Sequence, residues 1–97
     1  MPTYDVLDAF RRDLERLTPA HRRAFRAAVA NFVEDLRRRK GFRKGLRVKK
    51  MRGHGSIWEL TWAPDGRATF SFGEEQQSGE VHVVWRRIGT HTIFGSP

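Results

Sequence analysis

Apolar residues recur every three to four positions as far as Leu36 and mostly every second position after Gly53. The first spacing marks amphipathic helices and the second marks half-buried strands. Val6, Leu7, Phe10, Leu14 and Leu17 predict a first helix over residues 4–17. Asp5 and Asp8 stand near its start, where the helix dipole favours carboxylates. Thr18-Pro19 is a restart signal, with Thr as N-cap and Pro at the first helical position, where a missing N–H costs nothing. Phe25, Ala28, Val29, Phe32, Val33 and Leu36 then form the stripe of a second helix over 19–39, with Gly41 as its expected C-cap.

Four strands are expected after the helices. Residues 46–51 alternate Leu46 and Val48 against Arg47 and Lys49. Residues 57–63 follow a Gly-His-Gly-Ser loop. Pro64-Asp65-Gly66 is a tight turn in which Pro presets one dihedral and Gly accepts a positive one. Residues 67–72 alternate Ala68, Phe70 and Phe72 against Arg67, Thr69 and Ser71. A polar loop over 73–79 leads to a last strand over 81–88, and the tail GTHTIFGSP is expected to pack Ile93 and Phe94. Together these make an α+β single domain, 1–97, with a helical hairpin on one face of a small, mainly antiparallel four-stranded sheet. The other face is left open.

Charge changes this picture from a fold to a partner. Between Arg37 and Arg52 stand ten Lys/Arg residues and no acid, and the whole chain carries a formal charge of +8. Such a field seeks phosphates or an acidic protein segment. There is no cysteine, which removes disulfides and thiolate catalysis and fits a reducing, cytoplasmic setting. No apolar run is long enough to span a bilayer, and the N-terminus lacks a signal pattern, so no membrane role is expected. Metal-binding and phosphate-loop motifs are also missing, so neither a metal nor another cofactor is expected.

The order of these pieces resembles the RelE/ParE superfamily of bacterial toxins, the toxin halves of type II toxin–antitoxin systems. The resemblance rests on the basic strand, on IWELTWAPDGRATFSF with its Arg just after the hairpin, and on EVHVVWRRIGTHTIF. It covers about residues 20–94. It implies a metal-free mRNA endoribonuclease acting on the ribosome, in which the RNA 2′-hydroxyl attacks the adjacent phosphorus. It also implies a cognate antitoxin that silences the protein. The ParE branch implies instead a noncatalytic poison of DNA gyrase. A basic RNA- or DNA-binding domain without activity is a third reading. By the resemblance, the catalytic positions fall on Lys49, Arg67, Arg87 and His91, with Lys50 and Arg86 as neighbours of the same kind. The family often ends in a tyrosine near the site. Here the only tyrosine is Tyr4 and Phe94 occupies the tail, so a stacking role can survive there and a phenol role cannot.

The residue types suit this chemistry. Cleavage by an internal hydroxyl needs a proton acceptor, cations on the phosphorane and an acid for the leaving 5′-oxygen. The planar guanidinium of Arg67 matches phosphate oxygens in a bidentate way. His91 can exchange a proton near neutral pH, and His54, between two glycines, is a second candidate. His82, on the last strand, is expected to be structural. Lys49 and Lys50 point to opposite faces of a regular strand, and so do Arg86 and Arg87, so one of each pair is expected on the open face; Lys49, which shares a face with Arg47, is expected there, sharing acid–base duty with His91 or holding phosphate. RNA contact is assigned to Arg37, Arg38, Arg39, Lys40, Arg43, Lys44, Arg47, Lys50, Arg52, His54 and Arg86. Trp58, Trp62, Phe70, Phe72 and Trp85 are expected to be mostly core.

Overall fold

The computed structural model describes residues 1–97. Its elements are β1 (Thr3–Val6), α1 (Asp8–Glu15), α2 (Pro19–Arg38), β2 (Lys49–Lys50), β3 (Trp58–Ala63), β4 (Gly66–Phe72) and β5 (His82–Thr90). Short 3-10 turns at Lys44–Leu46 and His91–Gly95 complete the chain. The α+β class and the helical hairpin stand as expected. The sheet has five strands rather than four, in the order β1-β5-β4-β3-β2. No helix is long and apolar enough to cross a membrane.

The extra strand comes from the segment that periodicity assigned to the start of the first helix. Thr3, Tyr4 and Val6 are all strand formers, and β1 pairs parallel with β5, Thr3 opposite His82 and Val6 opposite Trp85. Buried His82 fastens this short edge. Its Nδ1 lies 2.7 Å from Thr3 Oγ1 and its Nε2 3.0 Å from Asp5 Oδ2. Helix α1 therefore begins only at Asp8, with Leu7 extended at the N-cap and its N–H donating to Trp85 O.

Helix α2 starts as expected, Thr18 Oγ1 accepting from the His21 amide with Pro19 in the first turn. Its end departs from expectation. The C-cap is Arg39, in the left-handed region at φ 56°, and not Gly41. The cause is Asp35. This carboxylate accepts from the Arg43 amide at 2.9 Å and from the Arg43 guanidinium at 2.9 and 2.8 Å. It thereby folds the chain back on the helix and stacks Phe42 on Phe32 at 5.4 Å. The same fold-back shortens the basic strand to Lys49–Lys50. Leu46 is buried at the end of a 3-10 turn and Arg47 is left-handed at φ 48°, so the alternation over 46–48 is not that of a strand.

The helices cover one face of the sheet. Phe10, Phe25, Ala28 and Phe32 meet Leu60, Ala68, Phe70, Val83, Trp85 and Ile88 in one core. Phe32 touches Phe42, Phe70 and Trp85 with ring centroids 5.0–5.5 Å apart. A ring so placed contributes roughly 3–5 kcal/mol against its replacement by Ala. Of the aromatics expected in the core, Phe70 and Trp85 are fully inside, Trp58 and Trp62 are half-buried, and Phe72 is exposed. Strand β5 runs on to Thr90, with a register shift between Thr69 and Phe70 that leaves Arg86 unopposed.

Candidate nucleic-acid interface and catalytic surface

The β3–β4 hairpin and the end of β5 build one corner of the sheet. Arg67 lies opposite Gly89 and Gly66 opposite Thr90, so His91 arrives beside the turn. Its Nδ1 is 2.7 Å from Asp65 Oδ1, and both side chains are exposed. A carboxylate at neutral pH only accepts, so Nδ1 carries the proton and Nε2 faces solvent. Arg67 stands next to this pair. Its Nη1 donates to the carbonyls of Ala63, Pro64 and Gly66 at 3.0–3.3 Å. These bonds fix the guanidinium against the turn without neutralising it, and no carboxylate pairs with it. Gly66 does not take the positive φ expected of it in the turn; it is required instead because the Trp62 ring packs on it. A Cβ at that position would lie 2.6 Å from the indole.

The two arginines of β5 differ. Arg87 is committed to the helical hairpin. Its Nε and Nη2 donate to the two oxygens of Asp13 at 2.6 and 3.1 Å, and the Ile88 amide donates to the same carboxylate at 3.1 Å. The Asp13 carboxylate holds the Arg87 pKa above the usual guanidinium value. Arg87 keeps one further donor, Nη1, on Ser96 O at 3.0 Å. Arg86 sits at the register shift and meets no acidic side chain. Its Nε donates to Pro97 O at 3.2 Å, as does the hydroxyl of buried Thr69 at 3.1 Å. Neighbouring strand residues were expected to point oppositely; the shift instead lets both arginines reach the tail.

Lys49 is opposite Glu59, with Nζ 3.9 Å from a carboxylate that is nearly buried, and Glu59 is opposite Thr69 on the next strand. Lys50 is opposite Trp58 and exposed. Within the basic run, Arg38 pairs with Glu34, Arg43 with Asp35, and Arg39 donates to Gly79 O. Arg37, Lys40, Lys44, Arg47, Lys50 and Arg52 have no such partner and carry the open positive field. His54 lies in the exposed loop between Gly53 and Gly55, without a hydrogen-bonded side chain. Sequence reasoning treated Asp65 as a turn residue, and it passed over Asp13 and Thr69. Their signal lies in spatial pairing, which no local spacing reveals.

No family model matches the chain, and no curated protein matches it. Solved structures do. YafQ from Escherichia coli superimposes with a TM-score of 0.71 at 8% identity, over 97% of this chain and 98% of that one. A copper-bound mutant toxin from Helicobacter pylori gives 0.66 at 13% identity, over 95% and 97%. A RelB–RelE antitoxin–toxin complex from Methanococcus jannaschii gives 0.60 at 12%, over 93% of each. The fold is that of the RelE-type toxins. In this RelE-type fold the corner formed by Arg67, Asp65 and His91 and the sheet face carrying Lys49 and Glu59 lie away from the helical layer.

Proposed function

We propose that the chain is the toxin of a type II toxin–antitoxin pair and cuts messenger RNA on the ribosome by an internal transesterification. The observation that carries this reading is the corner itself. An unneutralised Arg67 stands next to a carboxylate-oriented His91, on a RelE-type fold whose surface carries further unpaired cations. The RelB–RelE complex with this fold supports a protein partner of the same kind here. An acidic antitoxin segment would meet the same cations as ribosomal RNA, so the two compete. The protein then works in the cytoplasm.

In this mechanism Arg67 holds two oxygens of the scissile phosphate. A proton leaves the 2′-hydroxyl as O2′ bonds to phosphorus, and the P–O5′ bond breaks to leave a cyclic phosphate. The His91 imidazolium, oriented through Nδ1–H by Asp65, gives its Nε2 proton to O5′. Lys49 stabilises the added negative charge. An ammonium has no lone pair to offer, so Glu59, its neighbour, is the group that takes the 2′-hydroxyl proton. Arg87 keeps the strand on the helices and acts only through that support.

The test is primer extension on abundant transcripts minutes after induction without an antitoxin, with translation-blocked cells in parallel. New 5′ ends inside coding sequence, lost when translation is blocked and lost in Arg67→Ala and His91→Ala, are expected. Intact messages with arrested growth and DNA damage signalling would replace this reading with a gyrase poison.

A further inference from the structure

Phe72, at the end of β4, points to the helical side of the sheet like the buried Phe70, yet it keeps 42% of its surface exposed. Its ring meets Trp58 and Phe70 edge-on, with centroids 5.7 and 5.5 Å away. Beside it a groove of about 670 Å³ lies between the end of α2 and the loop over 73–81. The apolar part of its lining is Leu36, Phe42, Phe72 and Val81. Small-molecule sites fall in the same range, about 300–1,000 Å³. The seven residues of β4, at about 3.3 Å per step, put Phe72 roughly 20 Å from the Gly66 turn. The groove is therefore separate from the corner that carries Arg67 and His91.

Its polar groups are of both signs. Arg39 Nη2 donates to Gly79 O at 2.6 Å, and its Nε and Nη1 have no partner. Glu75 accepts from the Gly79 amide through one oxygen, which leaves the other free. A smaller niche of about 220 Å³ shares Leu36, Arg39, Glu80 and Val81 with the groove and adds Arg37. Glu80 is answered there by the Met1 amine at 2.8 Å. An acidic peptide would bring its carboxylates against Glu75, and an acyl chain would leave these charges unmet. A nucleotide satisfies each feature. Bases stack on aromatic rings, and guanidinium groups take phosphate oxygens. Carboxylates accept from base amino groups. We propose that this groove binds one unpaired RNA nucleotide, with its base on Phe72 and Phe42, the amino edge of that base on Glu75 and its phosphate on Arg37 and Arg39. The identity of the ligand as RNA rests on the function proposed above. Cytosine, adenine and guanine suit Glu75, whereas uracil has no amino group and turns carbonyl oxygens to it.

The test uses the full chain, the 2′-O-methyl trinucleotides of cytidine and of uridine, which lack the attacking hydroxyl, and NMR of the amide and indole N–H signals. The cytidine trimer is expected to shift Gly73, Gly79 and Trp58 and to bind about tenfold tighter than the uridine trimer, as for one hydrogen bond to a charged group. Glu75→Gln is expected to erase most of that preference. Phe72→Leu keeps the apolar bulk and loses the aromatic face, and should bind about tenfold more weakly. Arg39→Gln should weaken both trimers and lower the salt slope by about one. Lys40 stands between Arg39 and Gly41 on the rim, so a second phosphate should make the trimer bind tighter than cytidine monophosphate; equal affinity would overturn the assignment to RNA. Unmoved Gly73 and Gly79 signals, equal binding of the two trimers or undiminished affinity in Phe72→Leu would overturn the inference. Failure of the ribonuclease reading shows differently: messages stay intact in cells while the cytidine trimer still shifts Gly73 and Gly79.

Discussion

Replacing Asp13 by Ala separates a structural Arg87 from a catalytic one. The carboxylate accepts from Arg87 Nε, Arg87 Nη2 and the Ile88 amide at 2.6, 3.1 and 3.1 Å. Its loss leaves the buried amide without an acceptor, at about 1–3 kcal/mol. Removing one member of a buried ion pair costs roughly 3–5 kcal/mol. The Arg87 side chain keeps 27% exposure, so its head recovers part of that in water. The combined loss should be about 3 kcal/mol. Against a typical domain stability of about 5–15 kcal/mol this is large. Urea unfolding followed by circular dichroism should show a lower midpoint with little change in slope. Arg87→Gln should lose a similar amount, and the double variant scarcely more, giving a coupling energy above about 1 kcal/mol. Losses below about 1 kcal/mol in both single variants, or simple additivity, would mean that Asp13 does not hold Arg87. Arg87 would then be available to RNA and its assignment to the scaffold wrong.

Three further outcomes are expected. Gly66→Ala puts a Cβ 2.6 Å from the Trp62 ring and should cost about 1–3 kcal/mol, seen as a lower thermal midpoint with shifted tryptophan emission; an unchanged midpoint would show that the hairpin yields freely. The Arg43 side chain and amide hold the Asp35 carboxyl down at about 2, below its ordinary value of 3.8. A depressed folded pKa means the stabilisation is complete above pH 4 and is lost as pH falls toward 2, so acid titration of the wild type should lose stability across that window and Asp35→Asn should lose less. Arg67→Lys keeps the charge and loses the planar fork, so cleavage should fall at least about tenfold, and Arg67→Ala by about a hundredfold or more; full activity in Arg67→Lys would remove the bidentate role.

Much of the fold is written in local spacing. The stripe of α2, its Thr-Pro start and the Pro-Asp-Gly hairpin are set by residues a few positions apart, and each stands in the structure where expected. The misplaced elements are those decided by distant partners. Residues 3–6 satisfy a helical stripe and a strand equally well; β5, nearly eighty positions on, decides between them through Thr3, Asp5 and His82. Residues 46–48 alternate like a strand, but the Asp35–Arg43 link has already turned the chain, and Leu46 reaches the core from a 3-10 turn.

The site follows the same rule with greater force, because a cation's role depends on which acid answers it. Arg86 and Arg87 are neighbours of identical chemistry, yet Asp13, 74 positions before Arg87, neutralises one and leaves the other to the tail. Asp65 turns His91 from an exposed imidazole into an oriented pair across 26 positions. In the basic run, Glu34 and Asp35 tie the charge of Arg38 and Arg43 to the fold. What remains for a polyanion is the set that no acidic side chain neutralises, Arg67, Arg86, Arg37, Arg39, Lys40, Lys44, Arg47, Lys50 and Arg52, with Lys49 only loosely held by Glu59. Counting cations along the chain overstates the surface that RNA can use, and the acids that correct the count are the residues a search for catalysts passes over.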